Sequence, residues 1–260
     1  MGHQIKDLRM TDDKIYTAAL IIIGDEILSG RTHDKNIPYV AEKLGDVGVR
    51  LTEVRVIPDH ADKIVDTVNE MREAHDYVFT TGGIGPTHDD ITAENVARAF
   101  GVELELSDDA YAELLAYYKD ESQITESRKK MAMIPKGAVL IDNPVSGAPG
   151  INIGNVYVMA GVPRIMQSML DAIIPTLKGG KPVESRSVSA DLPESLIADG
   201  LTEIQNQYPM LVIGSYPKYQ NGRFGTTLVL RGIDDEALSN ATQEVVDLVK
   251  ALGENSPIVG

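Results

Sequence analysis

Residues 17–23 read Thr-Ala-Ala-Leu-Ile-Ile-Ile and end at Gly24. A run this short, apolar and rich in β-branched side chains suits a strand buried on both faces of a parallel sheet. Residues 34–44 follow with Ile37, Val40, Ala41 and Leu44 at helical spacing, Asp34 placed to cap the first turn and Gly45 just beyond. The pattern then repeats, with a strand over 51–57, a helix over 62–73, a strand over 77–81 and a helix ending near residue 100 that Asp90 is positioned to cap. Such alternation predicts an α/β fold, a three-layer αβα arrangement in which helices cover both faces of a mostly parallel sheet. Further along, 108–118 and 164–177 read as helices, the second interrupted by Pro175, and 138–141 and 155–159 as strands.

Lys178-Gly179-Gly180-Lys181-Pro182 breaks regular structure and is the best linker in the chain. A boundary there leaves a first domain over 15–178, preceded by a polar, mixed-charge tail over 1–14 that is expected to be disordered. Residues 182–260 form a second, smaller α+β domain. Its elements are a strand over 183–189, a helix over 194–207, strands over 210–215 and 226–231, and a helix over 235–252. A length of 260 residues with 43% hydrophobic content supports one large core and one small one.

The net charge of −15 argues against a general nucleic-acid binder, which needs clustered Lys and Arg to neutralise phosphates. The absence of cysteine removes disulfides, thiolate nucleophiles and cysteine metal sites, and points to a reduced, cytoplasmic setting. No apolar run approaches the roughly 20 residues that cross a bilayer, and the first residues lack the apolar core of a secretion signal, so no membrane partner is expected.

Chemistry concentrates after the strands. The stretch Thr81-Gly82-Gly83-Ile84-Gly85-Pro86-Thr87-His88-Asp89-Asp90 leaves a buried strand and opens a helix, the place where open α/β sheets bind ligands. Its glycines let backbone approach a ligand closely, and helix N–H groups face any phosphate placed there. Asp89 and Asp90 would repel that phosphate unless a cation lay between them, and a shared Mg²⁺ resolves the conflict. The alternative is a tight strand-to-helix turn in which Asp90 serves only as a cap. No Gly-Lys-Ser or Gly-Lys-Thr follows, so this is not a Walker A loop, and the Rossmann spacing is missing too.

Gly24-Asp25-Glu26-Ile27-Leu28-Ser29-Gly30 follows the first strand and would share the same rim; Asp25 or Glu26 could bind metal or act as a general base, or the segment could be a solvated turn. A third loop, Met159-Ala160-Gly161-Val162-Pro163-Arg164, offers a cation in Arg164 that could pair with phosphate or remain a surface charge. His33 and His88 belong to no ligand spacing or triad and read as exposed loop residues. Ser29 and Ser146 lack an identifiable base, and Tyr111, Tyr117 and Tyr118 read as packing residues rather than a stacking platform.

On these three loops the chain resembles the molybdopterin-binding (molybdenum-cofactor biosynthesis) domain family, in the version found at the N-terminus of competence/damage-inducible CinA proteins. The matching positions are Gly24 to Gly30, Asn36, Thr81 to Thr92, and the region from Ala148-Pro149-Gly150 to Gly161-Val162-Pro163. The resemblance implies binding of molybdopterin or a related nucleotide. It implies ligand contacts from Gly24, Glu26, Gly30, Asn36, Thr81, Gly82, Gly83, Gly85, Thr87, Thr92, Gly161 and Arg164. Asp25 and Asp90 fall on positions associated with phosphoryl chemistry, and Asp25, Asp89 and Asp90 are the expected Mg²⁺ ligands. Adenylyl transfer to a pterin phosphate and Mg²⁺-dependent hydrolysis of a pyrophosphate such as ADP-ribose or FAD both remain open. Ala160 replaces a usual proline and Val162 a frequent Ser or Asn, which weakens the first of these. The sequence stops at Gly260, before the C-terminal amidohydrolase domain of CinA proteins, so no deamidase activity is expected. The region from Pro182 resembles the KH-like module of the same proteins without its Gly-x-x-Gly loop, which argues against RNA binding. The family also implies a homo-oligomer.

Overall fold

The structure, a computed structural model, describes residues 14–220, 223–254 and 257–260. The expected tail therefore lies outside the described residues except for Lys14. The chain divides into two compact units between Gly180 and Lys181.

The first unit runs β1 (Tyr16–Ile23), α1 (Asp25–Leu28), α2 (Asn36–Asp46), β2 (Val49–Ile57), α3 (Ala61–Ala74), β3 (Tyr77–Thr81), α4 (Thr92–Phe100), β4 (Leu104–Leu106) and α5 (Asp108–Tyr118). It continues with α6 (Glu126–Lys129), β5 (Met133–Pro135), β6 (Val139–Ile141), β7 (Gly150–Ile153), β8 (Val156–Met159) and α7 (Pro163–Ile173). Six strands form one sheet in the order β2-β1-β3-β8-β7-β6. The pairs β2–β1, β1–β3 and β3–β8 are parallel, whereas β7 and β6 add antiparallel strands at one edge.

The β1 run explains why the sheet is covered on both sides. Successive side chains of a strand point to opposite faces. Ala19, Ile21 and Ile23 pack with Ile64, Val68 and Met71 of α3 and Val96 of α4. Ala18, Leu20 and Ile22 pack on the other face with Val40 and Leu44 of α2 and Met166, Met169 and Leu170 of α7. All six β1 residues are at most 3% exposed.

Asp34 caps as expected: its Oδ1 accepts from the amides of Asn36 and Ile37 at 3.0 and 2.8 Å. The expected helix over 164–177 starts one residue earlier, with Pro163 in its first turn, and gives way after Ile173 to a 3₁₀ turn around Pro175. Residues 25–28 are helical rather than an open turn. β7 was not expected: Gly150 belongs to a strand that turns back through Gly154 onto β8 rather than to a turn.

The second unit comprises β9 (Glu184–Ala190), α8 (Glu194–Gln207), β10 (Val212–Gln220), β11 (Arg223–Gly232), α9 (Asp235–Ala251) and β12 (Ile258–Val259). Its antiparallel sheet has the order β10-β11-β9-β12. Val188, Leu228 and Leu230 from the sheet pack with Ile197 of α8 and Leu238, Val245 and Val249 of α9.

Phe79, fully buried in β3, stacks on Tyr157 of β8 with ring centroids 5.2 Å apart. Phe79→Ala is expected to destabilise the first unit by about 3–5 kcal/mol, since it removes an aromatic ring from a packed core and leaves a cavity. Urea denaturation of the full chain measures it, with the second unit's transition unmoved.

Candidate functional site

The four parallel strands end on one rim, so Gly24 after β1, Asp59 after β2, Gly82 after β3 and Ala160 after β8 share it. The chain leaves β1 toward β2 on one side and leaves β3 toward β8 on the other. A crevice opens where connections diverge in this way, outside the carboxyl ends of the strands. A cleft of about 570 Å³ occupies this position, within the range of small-molecule sites. Glu26, Gly82 to Pro86, Asp90 and Ala160 to Pro163 line it, and Tyr118 and Met131 complete the wall.

The glycines after β3 are dictated by crowding. The Gly82 amide donates to the Met159 carbonyl at 3.1 Å, and its carbonyl accepts the Thr92 hydroxyl at 2.9 Å. Gly82 has φ +104°, and a Cβ there would lie 2.1 Å from the Ile23 carbonyl oxygen. Gly83 has φ +67°, and a Cβ would lie 2.2 Å from the Thr92 hydroxyl. The next three amides, of Gly83, Ile84 and Gly85, donate to no protein acceptor among the described residues.

Asp90 does not cap α4. That helix starts at Thr92, whose own amide donates to the Gly83 carbonyl at 3.0 Å. Asp90 instead closes the loop, its Oδ2 accepting from the Thr87 amide at 2.8 Å and lying 2.6 Å from the Thr87 hydroxyl. That hydroxyl also contacts the Asp89 carboxylate. The Thr87 hydrogen bond holds the Asp89 carboxyl below its ordinary value, helped by its own backbone amide and by the charges of His88 and Lys130. Lys130 reaches the same loop, donating from Nζ to the Thr87 carbonyl at 2.9 Å.

An acidic residue that the sequence did not single out enters from the loop after β2. The Asp59 carboxylate accepts the Asp25 amide at 3.0 Å. Burial pushes the Asp59 carboxyl above the ordinary carboxylate value; the Asp25 hydrogen bond opposes the shift, and the negative charges of Glu26, Asp25 and Asp89 add to it. Its signal in the sequence was only its place, at the carboxyl end of a strand that neighbours β1.

The remaining expected residues fall into two groups. Thr81, Thr92 and Asn36 are buried. Thr92 holds Gly82, and Asn36 donates from Nδ2 to the Gly161 carbonyl at 2.9 Å, pinning the turn between β8 and α7. The Thr81 hydroxyl and Asn36 Oδ1 have no hydrogen-bond partner among the described residues. Gly24 is buried and Asp59 partly so, whereas Asp25, Gly30, Asp89, Arg164, His33 and His88 are exposed. Neither Asp25, Gly30, Asp89 nor Arg164 lines the cleft. Among the described residues no three His, Asp or Glu side chains converge as ligands of one metal ion, so Asp25, Asp89 and Asp90 do not form a preassembled cage. Of the three tyrosines, Tyr118 lines the cleft rather than serving only for packing.

Residues 19–179, which hold the whole of this site, match the family described as a probable molybdopterin binding domain. The chain belongs to that family. Residues 182–255 match a second family, the FAD synthase middle domain. A protein of Archaeoglobus fulgidus is 34% identical over 88% of this chain and 96% of its own length. One of Pyrobaculum arsenaticum is 35% identical over 91% and 92%. Among solved structures, the protein CinA of unknown function from Thermoplasma acidophilum is 35% identical, with a TM-score of 0.58, over 62% of this chain and 96% of that one. No helix among the described residues is long and apolar enough to cross a membrane.

Two outcomes follow from the geometry of this molybdopterin-binding domain. Gly82→Ala is expected to destabilise the first unit by at least about 2 kcal/mol, because the added Cβ meets backbone in a left-handed conformation; chemical denaturation reads it. For Asp59, a carboxyl raised in the folded state favours folding below the ordinary carboxylate pKa, and that contribution disappears as pH rises through the folded value. Asp59→Asn keeps an acceptor for the Asp25 amide. It is expected to melt above wild type at about pH 7 and level with it at about pH 3, and a lower melting temperature at the higher pH would contradict the assignment.

Proposed function

We propose that the cleft binds a phosphorylated pterin, molybdopterin or its nucleotide, with phosphate on the 82–90 loop. The observation that carries this reading is the run of three amides, Gly83 to Gly85, with no acceptor among the described residues, at the switch point of the sheet. Successive backbone N–H groups can hold an anion without relying mainly on basic side chains, which suits a chain of net charge −15.

Mg²⁺ fits this arrangement as a partner of the phosphate. Magnesium keeps several waters and takes one or two carboxylates together with phosphate oxygens, so it needs no protein cage. The concentration of Asp25, Glu26, Asp59 and Asp89 around this rim supplies the negative potential. Asp90 and Glu26, on the cleft wall, would hold the ion, with Asp25 and Asp89 behind them. When bound, the ion would neutralise phosphate charge and polarise the phosphoryl oxygen. Thr87 would keep the two loop carboxylates oriented.

A second reading is hydrolysis of a pyrophosphate linkage in ADP-ribose, FAD or a similar dinucleotide, in a Mg²⁺-dependent reaction. The carboxylates of Glu26 and Asp90 on the cleft wall favour it, since a positioned carboxylate can accept a proton from water. Water oxygen would bond to phosphorus, the bond to the bridging oxygen would break, and two monophosphates would leave, with the water proton passing to a carboxylate of the cluster. Asp25 and Asp90 would position the water and the loop.

Isothermal titration of the full chain with molybdopterin, its nucleotide and ADP-ribose, each with Mg²⁺, tests the first reading: micromolar or tighter binding of one of them is expected, and no heat from any would sink it. Asp90→Asn, which keeps an acceptor for Thr87, is expected to lower hydrolysis of ADP-ribose or FAD by about a hundredfold or more. Unchanged turnover in that variant would eliminate the second reading.

A further inference from the structure

One wall of the cleft comes from a segment outside the main sheet. α5, α6 and their connections gather around a small cluster of their own, in which Ala110, Leu114 and Ala132 are buried. From that cluster Tyr118 and Met131 extend to the cleft. Tyr118 is partly buried, packing on that cluster while one side of it lines the cleft.

The surroundings of Tyr118 are fixed by charge. The Arg128 guanidinium lies over its ring, 4.2 Å from the centroid, and Tyr117 meets it at 90° with centroids 5.1 Å apart. Arg128 is anchored in turn by donating from one guanidinium N–H to the Gln123 carbonyl at 2.7 Å. The α6 helix that carries Arg128 is capped by Thr125, whose hydroxyl accepts the Arg128 amide at 3.3 Å. Neither Arg128 nor Lys130 has a carboxylate within ion-pair distance among the described residues. Arg128 stacks on Tyr118, and Lys130 reaches the Thr87 carbonyl of the 82–90 loop.

A cation over one aromatic ring polarises it and restrains its orientation, and a restrained ring beside a cleft of this size is a stacking surface for a planar heterocycle. We propose that Tyr118, held by Arg128, stacks on the ring of the ligand, while Lys130 joins the 83–85 amides at its phosphate. The cleft then selects molecules that carry an aromatic heterocycle and a phosphate together, and Tyr118 is its specificity-determining residue. This rests on the reading that phosphate binds at the 82–90 loop.

Two probes separate the parts: ADP, which has a ring and phosphates, and inorganic pyrophosphate, which has phosphates alone. Both are titrated with Mg²⁺ into the full-length wild type, Tyr118→Leu and Tyr118→Phe, and thermal unfolding checks each fold. Tyr118→Met serves as the non-aromatic variant should Leu fail to fold. Expected is a roughly ten- to hundredfold weaker ADP affinity in the non-aromatic variant, unchanged pyrophosphate affinity, and wild-type behaviour in Tyr118→Phe. A purely structural role would shift both probes together. Equal loss of both, no loss of ADP affinity, or loss in Tyr118→Phe overturns the stacking role while leaving the phosphate reading intact. Wild type that binds neither probe overturns the phosphate reading itself. Lys130→Gln is expected to weaken both probes alike, and unchanged affinities would remove Lys130 from the site.

Discussion

The hydrogen bond from the Thr92 hydroxyl to the Gly82 carbonyl ties the start of α4 to the end of β3 at a point with no room for a side chain. The Gly82 amide meanwhile holds β8 through Met159. Ile23 of β1, Gly82 just after β3 and Met159 of β8 are thereby fixed together. That junction sets where the 83–85 amides point and how far the turn at Gly161 stands from them. Asn36 adds a second tie, from α2 to Gly161. The residues that fasten this rim are buried and neutral, and the charged ones hang from it.

This division explains what the sequence revealed and what it hid. The both-sides-buried character of β1 was legible because every position in the run is apolar, and the 82–90 loop was legible because glycines and acids cluster within a few residues. Asp59 was hidden: a lone acid between proline and histidine has no local signature, and its importance comes from a parallel neighbour that brings it against the Asp25 amide. That Tyr118, packed as expected, also reaches the cleft was hidden for a related reason. It lies on a helix with Tyr111 and Tyr117, and only the separate cluster around Ala110 and Leu114 determines which ring reaches the cleft. Asp90 looked like a cap because it precedes a helix, yet Thr87 competes for its carboxylate and Gly83 supplies the carbonyl that the first helical amide uses.

The electrostatics of the site depend on that same separation. Acids from the loops after β1, β2 and β3 crowd one side, enough to raise Asp59 through burial and mutual repulsion. The cations Arg128 and Lys130 arrive on a different element, from the small cluster beside the main sheet. In the proposed reading, backbone amides and these cations would offset the carboxylates that the strands supply.

The strand order has a consequence for synthesis. β3 pairs with β1 on one side and with β8 on the other, and β8 is separated from it in the chain by α4, α5, α6 and the β6–β7 pair. While the chain emerges from the ribosome, β1, β2 and β3 can assemble long before β8 exists, leaving the Val78 to Thr81 edge without its partner. An unpaired, buried-type edge is a template for association with other chains. The loop and its amides exist at that stage, but the wall from Ala160 to Pro163 does not. The cleft is thus complete only once translation has passed α7, and the nascent first unit is most in need of chaperone protection in the interval between β3 and β8.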